Sequence, residues 1–182
     1  DVLNLLGRYP GDIPLGAECS GVVISVGNAV DEFQIGDRVL AIAPDCFAST
    51  VTVPAVSAVR IPDDWTFADG ASVSVAYLTA SVALESLASV RRGQRVLIHA
   101  AAGGVGLAAV SLCQAIGAEV FATASFSKHA YLNGLGVSQV ANSRSSGFAA
   151  AILAATDGEG VDVVLNMLDE TFVDENLKAL AA

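Results

Sequence analysis

The chain has 182 residues, of which 53% are hydrophobic, enough apolar material for a real core and too much for a disordered segment. Nine basic residues stand against 19 acidic ones, a net charge of −10, and they are scattered rather than gathered into the basic stripe that a nucleic-acid surface needs. No continuous apolar run reaches the length of a membrane span, because residues such as Arg95 and Glu119 interrupt the longer ones, so no membrane role is expected.

The chain opens on "DVLNLLG", already inside a helical pattern and with no initiator Met, and it closes on "LKALAA". Both ends suggest a segment of a longer polypeptide. All five prolines fall in the first 62 residues, among short β-branched or alternating runs such as "SGVVISVG" (20–27) and "DRVLAIA" (37–43). Gly and Asp punctuation between them suits turns, so residues 1–72 read as a small β-rich domain. Around "IPDDWTFADGA" (61–71) the texture changes and proline disappears.

From there strand-like and helical patterns alternate. "RVLIHA" (95–100) reads as a fully buried strand. In "VGLAAVSLCQAIG" the apolar residues Val105, Ala108, Ala109, Leu112, Cys113 and Ile116 fall on one helix face, and Gly117 sits where a C-terminal cap belongs. "EVFATA" (119–124) is the next strand, followed by a helix near 127–135 and a short strand near "SQVANS". A helix over 148–156 leads through "DGEG" into a strand over 161–166. This order predicts an α/β domain over 73–182 with a parallel, doubly wound sheet.

Between the first strand and helix of that domain stands "HAAAGGVGLAAV" (99–110). A dinucleotide turn needs a tight bend, close backbone approach to the pyrophosphate and close helix–strand packing, and each demand excludes a side chain. Here Ala101 occupies the first glycine position, while Gly103 and Gly106 occupy the second and third. With Ala102, Gly104 and Val105 they form a candidate phosphate cradle at a helix N-terminus, where free N–H groups and roughly half a positive charge face the anion.

The second strand selects the nucleotide. An NAD site places an acid near its end to hold the ribose hydroxyls. This chain has "ATASFSK" there, so Ser125 and Lys128 suit a 2′-phosphate, and Arg144 after the third strand could close the same pocket. NADPH is therefore the expected cofactor. A zinc site is not expected: Ala17 precedes Glu18 and Cys19 where zinc-dependent alcohol dehydrogenases carry histidine, and the only histidines are His99 and His129. His99, ending a buried strand, reads as packed or bonded to backbone rather than catalytic. A nicotinamide can reduce a polarised C=C bond without metal if an acid supplies a proton, and Tyr9 in "LLGRYPGD" is the best visible donor candidate, although its local features alone favour an ordinary surface or packing tyrosine.

Together "DVLNLLGRYPGD", "PLGAECSGVVISVG", "IGDRVLAIA", "RIPDDWTFADGASV", "VLIHAAAGGVGLAAV", "GAEVFATAS", "ANSR" and "ATDGEGVDVVLN" resemble the enoyl reductase domain of modular type I polyketide synthases. That family lies in the zinc-free branch of the medium-chain dehydrogenase/reductase superfamily, near the enoyl reductase of animal fatty acid synthase and the quinone oxidoreductases. The resemblance implies a partial GroES-like domain over 1–72 and a Rossmann-type domain over 73–182 that is truncated at its C-terminal end. It implies NADPH-dependent reduction of a trans-2-enoyl thioester on acyl carrier protein, beside ketoreductase and dehydratase domains in a cytoplasmic synthase. It also implies that Lys128 and Arg144 help hold the cofactor, that Thr79 and Asn166 lie near the nicotinamide half, and that Tyr9 delivers the α proton and bears on the (2S)-methyl outcome. Ser74 and Met167 depart from the usual family pattern, and further proton donors are expected beyond Ala182, so the fragment alone is expected to be inactive. A free-standing quinone or enone reductase and a non-catalytic NADPH-binding domain are the alternative readings.

Overall fold

The computed structural model describes residues 1–8, 14–143, 147–168 and 170–181. The chain divides into two compact units, Asp1–Val75 and Ala76–Ala182.

After a single helical turn, α1 (Val2–Leu5), the smaller unit forms three antiparallel strands in the order β1 (Glu18–Val22), β2 (Arg38–Ile42) and β3 (Ala58–Arg60). Glu18 stands opposite Ile42 and Val39 opposite Arg60. The β1–β2 connection is closed by Asp37, whose Oδ2 accepts the Gln34 N–H at 2.9 Å and pairs with Arg60 at 2.6 Å. Strand β1 is shorter than the "SGVVISVG" run suggests. Val23 still bonds Asp37 and Gly36 of the turn, but the chain then leaves the sheet.

Helix α2 (Phe67–Ser81) starts from a capping box in which the Thr66 hydroxyl accepts the Asp69 N–H at 3.1 Å and the Asp69 carboxylate accepts the Thr66 N–H at 2.8 Å. The Thr66 hydroxyl also donates to that carboxylate at 2.6 Å, and this bond together with the one from the Thr66 N–H holds the Asp69 carboxyl below its ordinary pKa. Further along, the Glu18 carboxylate accepts both the Ser74 hydroxyl at 2.5 Å and the Val75 N–H at 2.8 Å. The helix continues as a wider π-helical turn, Val82–Leu87. By length and composition alone, Phe67–Leu87 is long and apolar enough to cross a membrane, its most apolar 18-residue window having a mean hydropathy of 1.3. Asp69 and Glu85 interrupt it, however, so no continuous apolar run of that length exists. Its hydropathy accumulates through alanines and valines spaced between serines rather than through one unbroken run.

The larger unit alternates strand and helix: β4 (Arg95–Ile98), α3 (Gly104–Ile116), β5 (Glu119–Ala124), α4 (His129–Gly134), β6 (Gln139–Asn142), α5 (Phe148–Ala155), β7 (Val163–Leu165) and α6 (Val173–Ala179). The four strands are parallel, in the order β6-β5-β4-β7. Strand order thus reverses at β4, as expected of a doubly wound sheet. Each strand's alternation feeds two cores. Val96, Ile98, Val120, Ala122 and Ala124 pack with α3 residues such as Ala109 and Cys113. Leu97 and Phe121 pack on the opposite side with Phe148, Ile152 and Ala179. At the amino ends, the Arg95 N–H donates to Asp162 at 2.7 Å and its guanidinium pairs with Glu159 at 2.6 Å. Beyond β7, Leu180 makes one parallel bridge to Val161.

Phe121 is 2% exposed in the second core. Phe121→Ala should lower the unfolding free energy by about 3–5 kcal/mol in urea denaturation, and an unchanged midpoint would mean that this core does not bear on stability.

Candidate cofactor site

Ligands of open parallel sheets bind beyond the carboxyl ends of the strands, at the point where strand order reverses. Here that point lies between β4 and β7. The β4 end carries the segment His99–Gly103, the β5 end carries Ser125–Lys128, and the β7 end carries Asn166–Leu168. Topology therefore brings three separately predicted segments to one edge of one sheet.

The turn after β4 is built on close approach. A Cβ on Gly106 would stand 2.5 Å from the Ala100 carbonyl oxygen and 2.6 Å from the Ala101 Cα, so no side chain fits there. A Cβ on Gly103 would lie 3.2 Å from the same carbonyl, which tolerates little more. Ala101 is fully buried and its φ lies outside the left-handed region. The strain of the bend falls instead on Ala100, with φ at +46°. That is why an alanine can hold the first fingerprint position.

The first bond inside α3 runs from the Leu107 N–H to Gly103 O at 2.8 Å, and no side chain caps the helix. The N–H groups of Gly104, Val105 and Gly106 therefore precede the helical ladder, and Gly103 and Gly104 are exposed. This end of the helix suits a diphosphate. Ala102 and Val105, half-buried, flank it.

At the end of β5, Ser125 is half-buried and Lys128 is exposed, closing a short 3-10 turn, Phe126–Lys128. Among the described residues Lys128 makes no ion pair, which leaves its ammonium available to an anion. The His129 ring caps the strand by donating from Nε2 to Ala124 O at 3.2 Å, a role not read from the sequence. Asn166 is exposed, and its Oδ1 accepts the Leu168 N–H at 3.0 Å, which shapes the loop after β7. Thr79 is exposed on α2. Tyr9 and Arg144 lie outside the described residues.

His99 is fully buried and packed against Phe148, and its ring nitrogens meet side chains: Nδ1 meets Thr123 Oγ1 at 2.8 Å and Nε2 meets Asn176 Oδ1 at 2.6 Å. Burial holds its pKa below the ordinary imidazole value, partly opposed by the bond to Asn176.

Two family models match the chain. Residues 2–63 match the alcohol dehydrogenase GroES-like domain, and residues 104–182 match the zinc-binding dehydrogenase model. Over its whole length the chain is 49% identical to erythronolide synthase EryA2 of Saccharopolyspora erythraea, of which it spans 5%. The crystal structure of CurK enoyl reductase superposes on all of it with a TM-score of 0.94 at 41% identity, the chain spanning 58% of that protein. The chain belongs to the enoyl reductases of polyketide synthases. These lie within the medium-chain dehydrogenase/reductase superfamily of oxidoreductases, with its GroES-like and Rossmann-type parts. A mycobacterial relative, Rv1454c, solved in complex with NADPH, is 33% identical with a TM-score of 0.89, again over the whole chain and 58% of the relative.

The zinc in the name of one family model does not fit this enoyl reductase segment. Among the described residues no three His, Cys, Asp or Glu side chains stand together as ligands. His99 is engaged by Thr123 and Asn176. Burial, with the neighbouring Cys46 thiol, pushes the Cys19 pKa up to about 11.

Substituting the turn glycines should separate folding from binding. Gly106→Ala should destabilise the larger unit by about 1–3 kcal/mol, because backbone must move. Gly104→Ala meets only the Ala76 Cβ, at 3.9 Å, and should leave the melting temperature nearly unchanged while weakening dinucleotide affinity. Thermal melts and cofactor titrations of both variants check this; equal destabilisation by the two would contradict it.

Proposed function

We propose that this chain supplies the cofactor-binding part of an NADPH-dependent enoyl reductase, which saturates the 2,3 double bond of a trans-2-enoyl thioester carried on acyl carrier protein. The observation that carries the reading is the end of β5. Where an NAD site needs a carboxylate for the ribose hydroxyls, this chain presents Ser125 and Lys128, which has no ion-pair partner among the described residues, on the same sheet edge as the diphosphate turn.

In this reading the N–H groups of Gly104, Val105 and Gly106 bind the diphosphate, and Ala102 and Gly103 let it approach. Lys128 and Ser125 bind the 2′-phosphate, with Arg144 closing over it. Thr79 and Asn166 orient the nicotinamide end. Bound NADPH would supply a hydride to the β carbon of the enoyl group. The Tyr9 hydroxyl then delivers a proton to the α carbon, so that one hydride and one proton together saturate the bond. The carrier protein and the neighbouring ketoreductase and dehydratase domains of a cytoplasmic synthase are the proposed partners, supported by the chain's likeness to segments of polyketide synthases.

Lys128→Ala tests the cofactor assignment. A charge-assisted bond contributes about 1.5–3 kcal/mol, so NADPH affinity should fall roughly ten- to a hundredfold while NADH affinity stays nearly constant. Equal loss for both cofactors would remove Lys128 from the site. Tyr9→Phe, placed in the longer synthase domain, should slow reduction of a 2-methyl enoyl thioester or change the configuration of its product; turnover with unchanged rate and configuration would exclude Tyr9 as the proton donor.

A further inference from the structure

His99 has no part in the chemistry proposed above, yet it is a fully buried imidazole immediately before the nucleotide turn. Its partners fix its tautomer. The Asn176 side-chain oxygen can only accept, so Nε2 carries the hydrogen and Nδ1 receives the Thr123 hydroxyl. The ring packs edge-on against Phe148, with centroids 4.9 Å apart, and the His99 backbone N–H donates to Leu165 O at 3.1 Å. One residue thus reaches β5, α5, α6 and β7.

The next residue, Ala100, is left-handed, a conformation an L-residue with a Cβ keeps only when its surroundings enforce it. The enforcement is visible on both sides. Ahead of Ala100, His99 is fixed by Thr123 Oγ1, Asn176 and Leu165. After it, the Ala101 N–H donates to the backbone oxygen of the same Thr123 at 3.0 Å. The Ala100 carbonyl, so aimed, accepts the Gly103 N–H at 2.8 Å and lies over Gly106, which sets where α3 begins.

We propose that His99 is a positioning residue of the nucleotide site, which, as the neutral Nε2–H tautomer bridging Thr123 and Asn176, holds Ala100 left-handed and so places the N-terminus of α3 for the diphosphate. The proposal deepens the NADPH reading and rests on it for the ligand, though the clamp itself does not require a ligand.

Protonation should release the clamp. An imidazolium presents a second N–H where the Thr123 hydroxyl now donates, and its charge is buried with no counter-ion on the ring among the described residues. The groups facing the ring are uncharged: Thr123 from β5, Asn176 from α6 and Phe148 from α5. On α6 the nearby ionic side chains Glu175 and Lys178 pair with each other at 2.8 Å, and Asp174 is exposed. Because the folded-state pKa lies below the unfolded one, the stabilisation is complete above the ordinary imidazole pKa, about 6.5, and is lost as pH falls below it.

The test uses the full chain, with NADPH as the probe of affinity and NADH, which lacks the 2′-phosphate that itself titrates at about pH 6, as the probe of pH dependence. In the wild type, affinity for NADH should fall at least several-fold between about pH 7.5 and about pH 5.5. His99→Ala should weaken NADPH about tenfold at the higher pH and remove the pH dependence. His99→Gln, which can accept from Thr123 and donate to Asn176 without titrating, should restore most of the affinity and stay flat with pH. Ala100→Gly, comfortable in the left-handed region, should rescue the His99→Ala variant to near wild-type affinity. A His99→Gln variant with the wild-type pH profile, or a double variant as weak as His99→Ala, would overturn the proposal while leaving the NADPH reading standing. If no variant binds NADPH, that reading fails instead. The clamp is then judged by nitrogen-15 NMR: an Nδ1–H tautomer, or Ala100 chemical shifts unmoved by His99→Gln and by His99→Ala, would overturn it.

Discussion

The nucleotide end of the larger unit depends on one close approach, that of Gly106 to the backbone of Ala100 and Ala101. Strand β4 and helix α3 can be joined by so short a turn only if their backbones nearly touch, and only a residue without a side chain permits it. From that contact follow the direction of the α3 axis, the exposure of Gly103 and Gly104, and the burial of the face carrying Ala108, Ala109 and Cys113. The sheet is assembled around the same point, since β4 is flanked by β5 and β7 and all three deliver their carboxyl ends to it.

Much of this was legible in the sequence because it rests on local patterns. The α3 stripe, the Gly117 cap with φ of +84°, and the β-branched strand runs each require only neighbours along the chain. Strand ends were less legible. The run through Ala100 reads as strand, but β4 stops at Ile98, because Ala100 must turn left-handed to reach the helix. No composition signal marks that, since alanine there looks like any strand residue. The His99 partners were invisible for a different reason: Asn176 lies 77 residues away, and a pairing at that distance is fixed by packing rather than by pattern. At the candidate site, the close-packed glycine turn and the position of Lys128 at the end of β5 were readable from motif and spacing. The caps formed by His129 and Asn166 were not, because each depends on a loop conformation.

The smaller unit shows a different economy. Its three short strands enclose little, and a cavity of about 620 Å³, lined by residues including Val22, Ile24, Val39 and Val53, opens beside Cys19 and Cys46. Its order comes from specific polar ties: Asp37 to Arg60, Arg38 to the Asp63 carbonyl at 2.9 Å, and Glu18 to Ser74 and Val75. The Glu18 bonds matter because they tie β1 to helix α2, the Ser74 hydroxyl and the Val75 N–H donating to one carboxylate.

The strand order of the larger sheet also governs the sequence in which it can form. Pairing of β4 with β5, and of β5 with β6, joins segments separated by a single helix, whereas β7 must return past both to meet β4, Val96 finding Val163. Closing so long a loop carries a larger entropic cost and comes late. A chain emerging from the ribosome would therefore pair β4, β5 and β6 before Leu165 and Asn176 arrive to fix His99. Until β7 and α6 dock, neither the turn after β4 nor the segment Asn166–Leu168 has its full support.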